Sequence, residues 1–135
     1  MRKTLSLLTL FGLLAALPLA AQTPMTAAEF ERFTSGKTLF FGLRGEPYGV
    51  EKYMENRRVR WSFLDGQCKD GEWFAAQNNQ ICFVYEDSPE QHCWQFFLDG
   101  DQFSARVGDD PNVVPLYEAQ DTSEKMLCLG PDIGV

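Results

Sequence analysis

Residues 80–107 read QICFVYEDSPEQHCWQFFLDGDQFSARV, and this pattern predicts three consecutive antiparallel β-strands. Aromatic and β-branched residues alternate with polar residues in short runs, and turn-forming residues separate the runs. Asp99-Gly100 is a two-residue hairpin signal, because the central positions of such turns favour positive φ. Asp87-Ser88 is a weaker signal of the same kind. We therefore expect neighbouring strands to pair in chain order.

These turns also predict which side chains share a face. With Asp99-Gly100 as the turn, Phe96 lies opposite Phe103, and alternation defines one aromatic core face. The residues expected on this face are Trp94, Phe96, Leu98, Phe103 and Val107. With Asp87-Ser88 as the preceding turn, Ile81 and Phe83 join the same face, opposite Trp94 and His92.

The same register places Cys82 directly opposite Cys93, on the other face of the sheet. An even number of cysteines in a small exported domain is typical of disulfides. We therefore expect a Cys82–Cys93 disulfide, which leaves Cys68 to pair with Cys128, although the other two connectivities remain open.

The rest of the chain continues the strand pattern. Strands are predicted near 38–43, 48–54, 58–64, 67–76, 80–86, 92–98, 102–107, 113–118 and 126–129. Asp65-Gly66 predicts a further two-residue hairpin. Short connections favour an all-β, mainly antiparallel fold, a small meander barrel or strongly curved sheet of about 7–9 strands.

One short helix is predicted before the strands, at residues 27–35. Thr26 and Glu29 have the spacing of a capping box, and Gly36 supplies a residue for the helix C-terminus. Phe30 is placed to pack against the sheet, so we expect the helix to plug or flank it.

Residues 1–21 have the pattern of a secretory signal peptide. Arg2 and Lys3 precede an apolar run at 5–14, and small residues at 19–21 provide a cleavage site before Gln22. The run is too short to predict a stable membrane span. We expect a single domain at 22–135, located in the periplasm or secreted.

The charge of the chain narrows the choice of partners. It has 19 acidic and 12 basic residues and a formal net charge of −7, and the predicted leader contains two of the basic residues. Nucleic acids and anionic membrane surfaces would repel such a chain. We therefore expect an unknown protein or a small molecule as the partner, and no nucleic acid.

No arrangement of residues predicts catalysis. His92 is the single histidine, and no Gly-x-Ser-x-Gly motif is present. Many aspartates adjoin glycine or proline, where turn geometry favours them, and the calcium-loop pattern is absent. The wide cysteine spacing does not fit a zinc site. We expect no catalytic residue, metal or cofactor.

Two features are candidates for binding. Arg58, Arg60 and Trp61 belong to the main basic cluster, and both arginines share a strand face that can bind a phosphate, a carboxylate or an acidic partner. The alternative is that these arginines only prevent edge-to-edge pairing. The many aromatic residues either fill the core or line a barrel opening for a small apolar or sugar-like ligand.

Part of the chain resembles a known family. The segments Gly71-Glu72-Trp73, QICFVY at 80–85 and Cys93-Trp94-Gln95-Phe96 are similar to a pattern in small exported proteins of proteobacteria. That family is described only as a domain of unknown function, and the likeness covers about residues 58–107. It implies an exported β-rich domain with structural cysteines and no known activity.

These observations favour an exported, non-catalytic binding or interaction domain of the bacterial envelope. One alternative is a small carboxylate-dependent hydrolase or lyase that acts on an envelope substrate. Another is a structural envelope protein without a ligand.

Overall fold

Eight antiparallel strands form a closed barrel in chain order in the computed structural model, which describes residues 22–119 and 125–129. They are β1 (Thr38–Leu43), β2 (Glu46–Tyr53), β3 (Arg58–Ser62), β4 (Lys69–Ala75), β5 (Gln80–Tyr85), β6 (Ser88–Asp99), β7 (Gln102–Val107) and β8 (Leu116–Glu118). Pairing of β8 with β1 closes the barrel. The prediction of an all-β meander barrel with a short helix is confirmed. The predicted signal peptide, residues 1–21, lies outside the described residues.

The helix, α1 (Ala27–Thr34), begins with the predicted capping box. The Thr26 backbone N–H donates to Glu29 at 2.8 Å, and the Glu29 N–H donates to the Thr26 hydroxyl at 3.3 Å. The helix ends one residue earlier than predicted, because Ser35 leaves helical geometry and Gly36 takes a φ of +76°.

Helix α1 closes one end of the barrel. Phe30 is fully buried, and its ring centroid lies within 6.4 Å of five other aromatic centroids. These rings belong to Tyr53, Trp73, Phe83, Phe96 and Phe103. Of the two predicted arrangements, in which the helix plugs or flanks the sheet, the structure has the first.

The hairpin of β5 and β6 has the predicted pairing over most of its length. Cys82 pairs with Cys93, and these residues form one disulfide, while Cys68 and Cys128 form the other. A bulge after Val84 shifts the turn to Glu86-Asp87, instead of Asp87-Ser88. Two disulfides fit a non-cytoplasmic protein.

The predicted register of β6 and β7 is wrong by two residues. Phe96 pairs with Ala105 and not with Phe103, because Gly100 occupies the first central position of the turn with a φ of +61°. A shift of two keeps each side chain on its face, so Phe96 and Phe103 still share the core. Leu98 and Val107, expected in the core, lie near the strand ends and are 42% and 45% exposed.

The connection between β3 and β4 also differs from the prediction. Residues 63–68 form a loop instead of a two-residue hairpin at Asp65-Gly66, and Asp65 accepts a hydrogen bond from the Gln67 N–H at 3.0 Å. The predicted strand at 126–129 is absent, since residues 125–129 form no strand. The Leu129 N–H donates to the Gly66 carbonyl at 2.6 Å, which holds this segment against the loop.

Other strand boundaries differ by a few residues. Strand β2 begins at Glu46, β6 begins at Ser88, and β8 begins at Leu116. In the described part of the chain, no helix has the length and apolar character needed to cross a membrane.

Candidate functional site

A cavity of about 110 Å³ lies inside the barrel, and three residues of its wall, Tyr53, Phe83 and Phe96, also contact Phe30 of α1. Its inner wall consists of apolar, buried side chains, which include Phe41, Phe83, Phe96, Ala105 and Leu116. Its outer wall consists of side chains that include Tyr48, Trp61, Phe63, Lys69, His92 and Trp94. The cavity is therefore mainly aromatic, with few polar groups.

The cavity faces the end of the barrel opposite α1, which we call the open end. Phe63 belongs to the loop between β3 and β4 and is 53% exposed. Tyr85 immediately precedes the turn between β5 and β6. Both connections lie at the end of the barrel opposite Tyr53 and Phe103, two of the residues that pack against Phe30. A small molecule can therefore enter past the partly exposed aromatic side chains.

The most unusual group in the cavity is the carboxyl of Glu51, on β2. Glu51 is only 2% exposed, and its Oε1 accepts a hydrogen bond from the Tyr85 hydroxyl at 2.9 Å. Its Oε2 is buried and has no hydrogen-bond partner among the described residues. Burial raises the pKa of Glu51 to about 8, although the Tyr85 hydrogen bond and the charge of Lys69 oppose the shift. At neutral pH this carboxyl consequently retains its proton in most molecules.

The charge of Glu51 interacts with the hydroxyl groups of two tyrosines, Tyr53 and Tyr85. Burial and the charge of Glu51 raise the pKa of Tyr85 well above its ordinary value, and the same two causes raise that of Tyr53. Both side chains therefore remain neutral hydroxyls at physiological pH, and Tyr85 donates to Glu51.

Two glycines allow aromatic rings to lie against the barrel wall. A Cβ on Gly49 would overlap the indole ring of Trp61, and it would lie 2.9 Å from the Ser62 carbonyl oxygen. A Cβ on Gly71 would overlap the backbone of β5 and lie 2.8 Å from Cδ1 of Tyr85. These glycines therefore help to position Trp61 and Tyr85 in the cavity wall.

Lys69 supplies a positive charge to the outer wall. Its ammonium nitrogen lies 3.3 Å from the Asp87 carboxylate, and 5.0 Å and 5.6 Å from the ring centroids of Tyr85 and Phe63. The aromatic rings at the open end thus already contact one cation.

The structure separates the three binding residues suggested by the sequence. Trp61 lines the cavity, whereas strand alternation directs Arg58 and Arg60 to the outer face of β3. Arg60 forms two hydrogen bonds with Asp70, at 2.6 and 3.0 Å, which raise the pKa of Arg60 and lower that of Asp70. Arg58 is exposed and pairs across the sheet with Glu72. The three residues therefore do not form one site.

Sequence reasoning missed Glu51 and assigned no role to His92. The signal for Glu51 was its place in strand β2, since alternation puts it on the same face as Gly49 and Tyr53. His92 does pair with Phe83 as predicted, and its ring lies 6.2 Å from that of Tyr85 in the cavity wall.

Comparison of the chain with protein-family models, curated proteins and solved structures finds no significant match. Among residues 22–119 and 125–129, no three histidine, cysteine, aspartate or glutamate side chains form a group suited to a metal ion.

Proposed function

We propose that this protein is an exported, non-catalytic binding protein whose barrel takes up one small, mainly apolar molecule through its open end. The observation that supports the proposal is an aromatic cavity containing one buried carboxyl oxygen that has no hydrogen-bond partner in the described part of the chain. Ligand sites are typically apolar concavities with a few convergent polar groups that orient the ligand.

The cavity volume limits the part of the ligand that it can enclose. An apolar protein cavity of roughly 150 Å³ is large enough for benzene. The cavity here is smaller, at about 110 Å³, so it can enclose a short branched chain or part of a ring, while the rest of the ligand would extend through the open end.

The composition of the cavity favours binding over hydrolysis. Glycoside hydrolysis, for example, commonly uses two carboxyl groups about 5–10 Å apart. Among the residues that line the cavity in the described part of the chain, Glu51 is the sole carboxylic acid. A raised pKa is nevertheless suited to a general acid, so a carboxylate-dependent hydrolase or lyase is the second candidate.

The two disulfides support the proposal of export to the periplasm or beyond the cell, because disulfides persist in oxidising compartments. The resemblance of residues 58–107 to small exported proteins of unknown function agrees with this location and remains a prediction.

Native mass spectrometry of the protein, isolated without denaturation from cells that make it naturally, tests the binding proposal. We expect a reproducible added mass that matches one small molecule. The same measurement on an Ala105→Leu variant, in which the larger side chain fills the cavity, should show loss of that mass. Arg60→Ala, on the outer face, is the matched control and should retain it.

Titration of the ligand-free protein with 2-phenylethanol provides an independent measurement. Trp61 and Trp94 line the cavity, so their fluorescence should change on binding. Retention of binding by a folded Ala105→Leu variant would contradict the proposed site. Catalytic turnover of the bound molecule that is lost in Glu51→Gln would instead support the hydrolase or lyase.

A further inference from the structure

The unpartnered oxygen of Glu51 indicates that the ligand carries a polar group. Buried polar atoms are nearly always hydrogen-bonded, and an unpaired one is costly. Oε1 of Glu51 accepts the Tyr85 hydroxyl, whereas Oε2 has no partner among the described residues. Glu51 lines the cavity, so a ligand can supply the missing partner, which is an acceptor for the protonated carboxyl or a donor for the ionised carboxylate.

The aromatic walls around this carboxyl are suited to a positive charge. The faces of tyrosine and tryptophan rings attract cations. Tyr48, Trp61, Tyr85 and Trp94 line the same cavity as Glu51. The ammonium of Lys69 already lies over the Tyr85 ring, which shows that this part of the barrel accommodates a cation.

We propose that the ligand is a small organic amine whose ammonium group donates to Oε2 of Glu51, while its apolar body fills the aromatic cavity. This inference rests on the proposed binding function and specifies its ligand class.

Lys69 does not itself occupy this position. Its ammonium lies 3.3 Å from the Asp87 carboxylate, and it also contacts the rings of Phe63 and Tyr85. Lys69 therefore remains at the outer wall, and the inner carboxyl is available to a second cation. The net charge of the chain, −7, attracts cationic ligands and opposes anionic ones.

Binding of an ammonium group must be coupled to ionisation of Glu51. The groups that face this carboxyl are Lys69 on β4, Tyr85 on β5, His92 on β6 and Tyr53 on β2 itself. Because the pKa of Glu51 is about 8, most molecules lose one proton to solvent when the cation binds at pH 7. The amine keeps its own proton, so the bound state is an ammonium–carboxylate pair.

This coupling predicts a steep pH dependence. The ionised fraction of a group with a pKa of 8 rises from about 1% at pH 6 to about 50% at pH 8, so amine affinity should rise about fifty-fold. A neutral alcohol can hydrogen-bond to the protonated or to the ionised carboxyl and has no charge to pair with it, so its affinity should change far less than that of the amine.

Calorimetric titration with three probes that share a phenyl ring tests the inference. The probes are phenethylamine, 2-phenylethanol and 3-phenylpropionate, which carry a cation, a neutral hydroxyl and an anion. At pH 8 we expect the amine to bind about tenfold more tightly than the alcohol, through a charge-assisted hydrogen bond. Titrations at pH 7 in two buffers of different ionisation enthalpy should show release of about 0.9 proton per amine bound.

Two variants distinguish the contribution of the Glu51 carboxylate to amine binding from the contribution of the rest of the cavity. Glu51→Gln keeps the shape but cannot ionise, so the preference for the amine over the alcohol should disappear. Arg60→Ala, on the outer face, should keep that preference. The proton count on the natural protein provides a second test that needs no variant.

The outcomes distinguish this inference from the binding proposal. Tighter binding of the alcohol or of phenylpropionate, or amine binding without proton release, would overturn the amine assignment while the binding function stands. Failure of all three probes to bind the folded protein would overturn both.

Discussion

Replacing Glu51 by glutamine should stabilise the protein increasingly as the pH rises. The carboxyl is 2% exposed, and burial raises its pKa from 4.5 to about 8. The folded state therefore retains a proton that the unfolded chain loses above its ordinary pKa. The wild type is most stable, with respect to this group, below pH 4.5, and it loses stability as the pH rises towards 8. Glutamine has no such proton to lose.

The size of the effect follows from the difference in pKa. Between pH 5 and pH 7.5, each pH unit should add about 1.4 kcal/mol to the stability of Glu51→Gln relative to the wild type. The accumulated gain is about 3 kcal/mol at pH 7, and it approaches about 5 kcal/mol once the carboxyl ionises in the folded state above pH 8. Burial of the glutamine amide adds an offset that does not depend on pH.

Urea unfolding with intact disulfides, measured at intervals from pH 4 to pH 8.5, gives the difference in the free energy of unfolding at each pH. Other carboxylates also become protonated at low pH, but this happens in both proteins, so its effect cancels in the difference in the free energy of unfolding. Glu46→Gln, which removes an exposed carboxylate at the start of the same strand, is the matched control. A difference between Glu51→Gln and wild type that stays constant across this range, or that falls with pH, would refute the assignment of a buried, protonated carboxyl.

Three further substitutions test the plug, the cavity wall and the outer face. Phe30→Ala should lower the free energy of unfolding by about 3–5 kcal/mol, because it leaves a cavity beneath α1, and urea titration measures the loss. Gly49→Ala should lower it by about 1–3 kcal/mol and shift tryptophan emission, because the added methyl group displaces the ring of Trp61. Arg60→Ala should change it by less than about 1 kcal/mol, since its ion pair with Asp70 is partly exposed, with side chains 39% and 30% accessible. A small loss for the first variant, unchanged emission for the second or a large loss for the third would contradict these interpretations.

The helix and the disulfide-linked hairpin could be predicted from the sequence because interactions between residues close in the chain specify them. The Thr26 and Glu29 side chains satisfy backbone donors only three residues away. Cys82 and Cys93 lie on adjacent strands joined by a short turn, so the predicted pairing needed only an approximate turn position. The bulge after Val84 compensated for the displaced turn, and it left the cysteine pair opposite each other.

The register of β6 and β7 shows where local information was insufficient. Asp99-Gly100 and Gly100-Asp101 are both reasonable turns, and they differ by two residues in strand pairing. Since both place Phe96 and Phe103 on the same face, the hydrophobic pattern does not distinguish them.

Amino-acid sequence by itself determined the strand alternation, the helix cap, the pairing order and the acidic charge, because each depends on neighbouring residues or on composition. Only the closed barrel decided that Glu51 is buried and that Trp61 lies with it in the cavity, on the opposite face from Arg60. Alternation places Glu51 on the same face of β2 as Gly49 and Tyr53, but only the surrounding strands make that face a closed interior. The raised pKa of Glu51 and its unpartnered oxygen are consequences of that enclosure, since removal of water is what makes the charge costly.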